Sequence, residues 1–151
     1  TQHSTNPATG DRFATFAELD DAGIDTRLGA AHVAAAAWRG VPLQQRAALV
    51  AGIADQLDAR RDELATLAVL EMGKTLRSAR DEVAKCALAC RHYAAHAPAL
   101  LTPESISSDG SVAGSIRYDP IGIVLAVMPW NFPYWQVMRA VAPNIAAGNG
   151  L

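Results

Sequence analysis

Apolar positions recur at three- and four-residue steps through most of the first hundred residues, and further on they close into the nearly unbroken run IGIVLAV, from Ile121 to Val127. The first pattern is that of helices with one buried face; the second fits a strand covered on both faces, although periodicity alone does not separate it from a buried helix. Asp25 and Thr26 are placed to cap a first helix carrying Leu28, Ala31, Ala35 and Trp38 on one face, with Gly40 at its end and Trp38 in the core. Pro42 opens a second helix with Leu43, Ala47, Val50, Ala54 and Leu57. Its pattern resumes at Leu64, Leu67 and Ala68 and stops at Gly73, leaving Arg60, Arg61 and Glu63 to solvent. A third helix is predicted from Thr75 to about Ala97, with Leu76, Ala79, Val83, Cys86, Cys90, Tyr93 and Ala97 on one side and Pro98 closing it. Ahead of all three, residues 5–10 (TNPATG) are turn chemistry.

After Pro103 the composition shifts to serine, aspartate and glycine, and Asp109-Gly110 is a tight-turn dipeptide between two short runs. Val112, Gly114, Ile116 and Tyr118 extend the second run towards Asp119-Pro120, which predicts a hairpin. Beyond the apolar run, Pro129 and Pro133 bracket Trp130, Asn131 and Phe132, so any strand must stop at this turn. Pro133 suits the first position of a helix with Trp135, Met138, Ala142 and Ile145 on one face. The order is strand, turn, helix, and Asn131 lies at the strand's carboxyl end, where open α/β sheets bind ligands.

The chain has 151 residues, half of them hydrophobic, enough for one domain with a sizeable core. Its formal net charge of -2 carries no basic footprint, so neither nucleic acid nor an anionic membrane surface is expected as a partner. No apolar run approaches the roughly 18 residues that span a bilayer, and a cytoplasmic location is expected. Cys86 and Cys90, four apart on a predicted helix, are a poor basis for a disulfide and fit a reducing compartment.

Cys86, Cys90, His92 and His96 are all metal-ligand types, but a helix spreads the first and last roughly 15 Å apart and turns Cys90 and His92 to different faces. No metal site is assigned to them. The cysteines are read as small buried hydrophobes and the histidines as a surface pair. Asn131 has two readings that the residues leave open: a polar turn residue, or an amide N–H donor in a dry pocket. Trp130, Phe132 and Trp135 are read as core or pocket wall.

The string MPWNFP, the helix after it, the AAGNG that follows, and Glu71-Met72-Gly73-Lys74 together resemble the aldehyde dehydrogenase family. The order of the helices from Asp25 to Leu101 is similar too, and WQVMR after NFPY most resembles the succinate-semialdehyde branch. The resemblance implies an α/β fold: a helical layer over 1–103 in the cofactor-binding domain, an oligomerisation hairpin over 104–120, and over 121–151 the first strand and helix of a Rossmann-like parallel sheet. It implies NAD or NADP as cofactor, a small aldehyde as substrate and a homo-oligomer as the working form. By the same resemblance Asn131 is the catalytic oxyanion donor, Met128, Pro129 and Trp130 meet the cofactor, and Phe132, Trp135 and Arg139 meet the substrate, Arg139 through a terminal carboxylate. The family's reaction proceeds through a cysteine thioester, released as the acid by a glutamate-assisted water, and oxidises succinate semialdehyde to succinate in the branch resembled. Those cysteine and glutamate residues follow the AAGN segment in the family, so this stretch is expected to be the amino-terminal portion of a longer enzyme, inactive alone and prone to association through residues 121–128. A competing expectation, of another class, is a non-catalytic assembly or interaction module.

Overall fold

The structure, a computed structural model, describes residues 1–108 and 112–151. The predicted Asp109-Gly110 turn lies outside the described residues. Strand β1 (Gln2–Thr5) pairs antiparallel with β2 (Arg12–Phe16), and the turn between them is closed by Asn6, whose side-chain oxygen accepts the Ala8 amide at 2.9 Å. The Ser4 hydroxyl donates to Glu71, tying this ribbon to the helices.

Helix α1 (Asp21–Arg39) begins earlier than Asp25 and Thr26 suggest. Asp20 is the cap: its backbone is extended, its carboxylate accepts the Gly23 amide at 2.8 Å, and Asp21 favours the positive end of the helix. Thr26 instead donates back to the Ala22 carbonyl within the helix. Only Ala35 of its predicted face is fully buried; Leu28 is exposed, and Trp38 is half-buried with its indole N–H on the Ile145 carbonyl at 3.0 Å.

The predicted second helix is two. α2 (Leu43–Ala59) and α3 (Arg61–Met72) meet at Arg60, which leaves helical geometry with φ -105° and ψ 17°. Asp62 and Glu63 stand in the first turn of α3, where negative side chains favour a fresh start. Arg60, Arg61 and Glu63 are exposed as expected, and Gly73 ends α3 in the left-handed conformation, φ 67°. α4 (Leu76–Leu100), capped by Thr75, runs through Pro98 instead of stopping there. A proline removes one hydrogen bond but does not prevent the residues after it from closing the turn; Leu101 still donates to the Ala97 carbonyl at 3.0 Å.

The hairpin forms as β3 (Glu104–Ser108) against β4 (Val112–Ile116), antiparallel, with Ile106 opposite Gly114. β4 stops short of Tyr118, whose hydroxyl bonds Glu104 at 2.8 Å. The Ile121–Met128 run is not a regular strand. It makes one parallel bridge, Ile123 with Gly150, through Gly150 N–H to Gly122 O at 2.8 Å and Val124 N–H to Gly150 O at 3.0 Å. A strand is defined by its neighbour, and among the described residues Gly150 alone bridges to it through its backbone. Ile121, Leu125 and Val127 are accordingly 83%, 87% and 86% exposed. α5 (Pro133–Ala147) follows, with Pro133 at its start, and ends at Gly148.

The core lies where α2 and α5 pack on α4: Val50, Ala54, Val83, Cys86 and Cys90 are buried together with Ala142 of α5. Trp135, Met138 and Ile145 pack against them, so the predicted face of α5 is the one that meets the core. Among the described residues no helix is long and apolar enough to cross a membrane.

Candidate active site

The turn Pro129–Phe132 precedes α5, and its position is set by side chains from distant parts of the chain. Phe132, the residue before the helix, offers no side-chain cap to the first amides of α5. Glu82 of α4 supplies it: one carboxylate oxygen accepts the Tyr134 amide at 2.9 Å and the Trp135 amide at 3.0 Å, while the other pairs with the Lys74 ammonium. At 4% exposure Glu82 is a buried charge, and the amides plus the ammonium make that burial tolerable. The same Lys74 sits 4.4 Å from the centre of the Phe132 ring, and Lys85 lies 3.8 Å over Trp135, both cations on aromatic faces. The Tyr134 hydroxyl donates to the Leu64 carbonyl at 2.8 Å. Burial first, then the Glu82 charge, pushes its phenol above the ordinary value.

The far end of α5 is held equally firmly. The Arg46 guanidinium, buried, donates to the Ala146 carbonyl at 3.0 Å and the Val41 carbonyl at 2.6 Å, and burial pulls it below its ordinary pKa. Asn149 accepts the Ile121 amide at 2.7 Å and the Gly122 amide at 3.2 Å, which fastens the start of the apolar run to the end of the helix. Gly148 has φ 91°, and a Cβ there would stand 2.8 Å from the Pro120 ring, which explains a glycine before Asn149.

Met128, Pro129 and Trp130 line one wall of a cleft of about 670 Å³ whose other walls are β1, α3 and the start of α5, including Ser4, Leu67, Glu71 and Val137. Trp130 is 77% exposed. Among the described residues no backbone hydrogen bond involves Leu125 to Asn131, so the carbonyls of this stretch remain available as acceptors. That wall is apolar with free carbonyls. Asn131, Phe132, Trp135 and Arg139 do not line that cleft. Asn131 and Phe132 are exposed on the turn, Trp135 is half-buried beneath Lys85, and Arg139 is exposed, donating to the Gln136 side chain at 3.3 Å.

The cysteines are not placed for chemistry. Burial, followed by the Glu82 charge, pushes the Cys86 thiol up to about 12, and burial also raises Cys90. Lys85, next in sequence to Cys86, is engaged with Trp135. The His92 and His96 rings are neighbours on the surface, 4.4 Å between centroids, while both cysteines are buried. Among the described residues no group of three side chains is arranged to hold a metal ion.

Sequence reasoning missed Glu82, Arg46 and the bonding role of Asn149. A signal for Glu82 exists: it is an acidic residue at the spacing of the buried face, beside Ala79, Val83 and Cys86.

The pattern of the aldehyde dehydrogenase family matches residues 1–151. Succinate-semialdehyde dehydrogenase (NADP+) 1 of Mycobacterium tuberculosis is 44% identical over 146 residues, which is 95% of this chain and 32% of that protein. The Mycobacterium avium succinate-semialdehyde dehydrogenase (NADP+) is 45% identical over 147 residues, 95% of this chain and 31% of its own length. The crystal structure of succinic semialdehyde dehydrogenase from Streptococcus pyogenes in complex with NADP+ superposes with a TM-score of 0.91 at 34% identity, covering 99% of this chain and 33% of that one. The chain thus spans about a third of the length of the curated relatives it matches. With helical layer, hairpin and proline-bracketed turn in the order that the sequence pattern and the superposed fold require, the chain belongs to the aldehyde dehydrogenase family.

Proposed function

We propose that this chain forms part of an NAD(P)-dependent aldehyde dehydrogenase that oxidises succinate semialdehyde to succinate. The observation that carries the reading is the near-complete coverage of the chain by relatives of that name at 44% and 45% identity. In this reading Asn131 donates its side-chain N–H to the charge that develops on the aldehyde oxygen as a cysteine thiolate, supplied from outside these residues, attacks the carbonyl. Phe132 and Trp135 wall the substrate channel, and the Arg139 guanidinium presents a donor fork to the far carboxylate. Met128, Pro129 and Trp130 hold the nicotinamide cofactor, which when bound supplies the hydride acceptor. A glutamate-assisted water, again from outside these residues, releases the acid from the thioester.

The division into a helical part over 1–103, a hairpin over 104–120 and the beginning of a parallel sheet over 121–151 belongs to the same reading. So do a homo-oligomer and a cytoplasmic location. The hairpin supports the first, because among the described residues β3 and β4 pair only with each other and leave Ile106 and Ile116 exposed. The two free buried cysteines fit the second. The test is a purified full-length protein offered succinate semialdehyde or butanal with NAD+ or NADP+. Reduced cofactor should form fastest with succinate semialdehyde; no reduction with any pair removes the reading.

A further inference from the structure

Glu82 is the one buried carboxylate among the described residues, and everything it touches belongs to the turn or its support. Helix amides are commonly capped by a side chain just ahead of the helix. Here the residue ahead of α5 provides none, and the cap comes from a helix 52 residues earlier. The turn, shaped locally by Pro129 and Pro133, is therefore also registered to the helical layer. Lys74, from the loop between α3 and α4, neutralises Glu82 and places its ammonium on the Phe132 ring. One ion pair thus grips Phe132, Tyr134 and Trp135 at once. Asn131, directly before them and exposed, makes no side-chain hydrogen bond among the described residues, so what the turn fixes is its backbone and the direction in which its side chain leaves it.

We propose that the Lys74–Glu82 pair is the positioning device for Asn131, setting the donor's direction and so the turnover rate, without touching substrate or cofactor. This rests on the donor role read for Asn131 above. A group aimed wrongly by about 1 Å can cost on the order of 10²-fold in rate, and that loss falls on kcat because the charge it meets exists only in the transition state.

The experiment is a double-mutant cycle in the full-length enzyme, following kcat and aldehyde KM separately together with thermal unfolding. Glu82→Ala is expected to lower kcat by about 10- to 100-fold with aldehyde KM little changed. Glu82→Gln keeps one carbonyl oxygen for the two amides but turns an NH2 on the Lys74 ammonium, so it should lose turnover by less than Glu82→Ala. Turnover left unchanged in Glu82→Gln would assign the role to the amide cap alone and overturn the pair. In an Asn131→Ala background, Glu82→Ala should cost little more, because the donor it aims is already gone. If Glu82→Ala does not fold, Glu82→Asp runs the same cycle: the carboxylate, drawn back by one methylene, loses the amides while keeping its charge. Losses that multiply across the cycle, or a lowered unfolding temperature with unchanged kcat, overturn the positioning role while leaving the donor role intact. An Asn131→Ala enzyme with normal kcat removes the donor role itself and this inference with it.

Discussion

Glu82 and Arg46 hold opposite ends of α5 with opposite charges: the carboxylate accepts the Tyr134 and Trp135 amides at the start, and the guanidinium donates to the Ala146 carbonyl at the finish. Each charge matches the end it meets, negative at the amino terminus and positive at the carboxyl terminus. Each also fills a backbone group that the helix leaves without an internal partner. The turn before α5 and the Asn149 loop after it are therefore fixed to the same helical layer, through α4 and α2 respectively.

Replacing Arg46 by methionine keeps much of its length and removes its donors. The buried Ala146 carbonyl then loses its partner, at a cost of about 1–3 kcal/mol for a group left unsatisfied, while the half-buried Val41 carbonyl can turn to water. Urea unfolding of the full-length protein should show a lowered midpoint with an unchanged slope. An unchanged midpoint would mean that water replaces the guanidinium without cost.

Asn131→Ala in the full-length enzyme should lower kcat by about 10²- to 10³-fold, the scale for losing one oxyanion donor. Cofactor affinity should hardly move, since Asn131 is outside the wall formed by Met128, Pro129 and Trp130. Steady-state kinetics with separate titration of cofactor checks both parts. A change confined to KM would reassign Asn131 to substrate binding.

Arg139 is exposed, and among the described residues its one hydrogen bond is the 3.3 Å contact with Gln136, which leaves most of its guanidinium open to a carboxylate. Arg139→Ala should raise KM for succinate semialdehyde far more than for butanal. The loss of a charge-assisted pair corresponds to about 1.5–3 kcal/mol, or roughly 10- to 150-fold in kcat/KM. Equal losses on the two aldehydes would leave a general aldehyde dehydrogenase.

Cys86 keeps its proton in the folded chain up to about 12, whereas the ordinary value is 9.0. Between these the unfolded form has released a proton that the folded form retains, so fewer protons are bound on unfolding and stability falls as pH rises. The contribution is fully present below about 9 and is lost towards 12. Iodoacetamide at pH 8, read by peptide mass spectrometry on the native enzyme, should leave Cys86 and Cys90 unmodified, with rapid labelling after denaturation. Rapid native labelling of Cys86 would show that the core opens readily at α4.

The order of helices, hairpin, turn and final helix was legible because each rests on local chemistry. Pro129 and Pro133 restrict their own backbone and that of their neighbours, Gly73 accepts the left-handed φ of 67° that ends α3, and the face of Trp135, Met138 and Ile145 follows from helical spacing. Where local signals competed, the expected boundaries moved: Asp20 capped ahead of Asp25, α2 and α3 separated at Arg60, and α4 passed through Pro98.

By itself the sequence determined which stretches are helical and that MPWNFP stands before a helix, since these depend on neighbours a few residues apart. Tertiary structure alone decided that Ile121–Met128 makes a single bridge, because a strand exists only beside a partner. It also decided that α5 is capped by Glu82 and Arg46, across 52 and 100 residues, because a hydrogen bond between distant segments leaves no periodic trace along the chain.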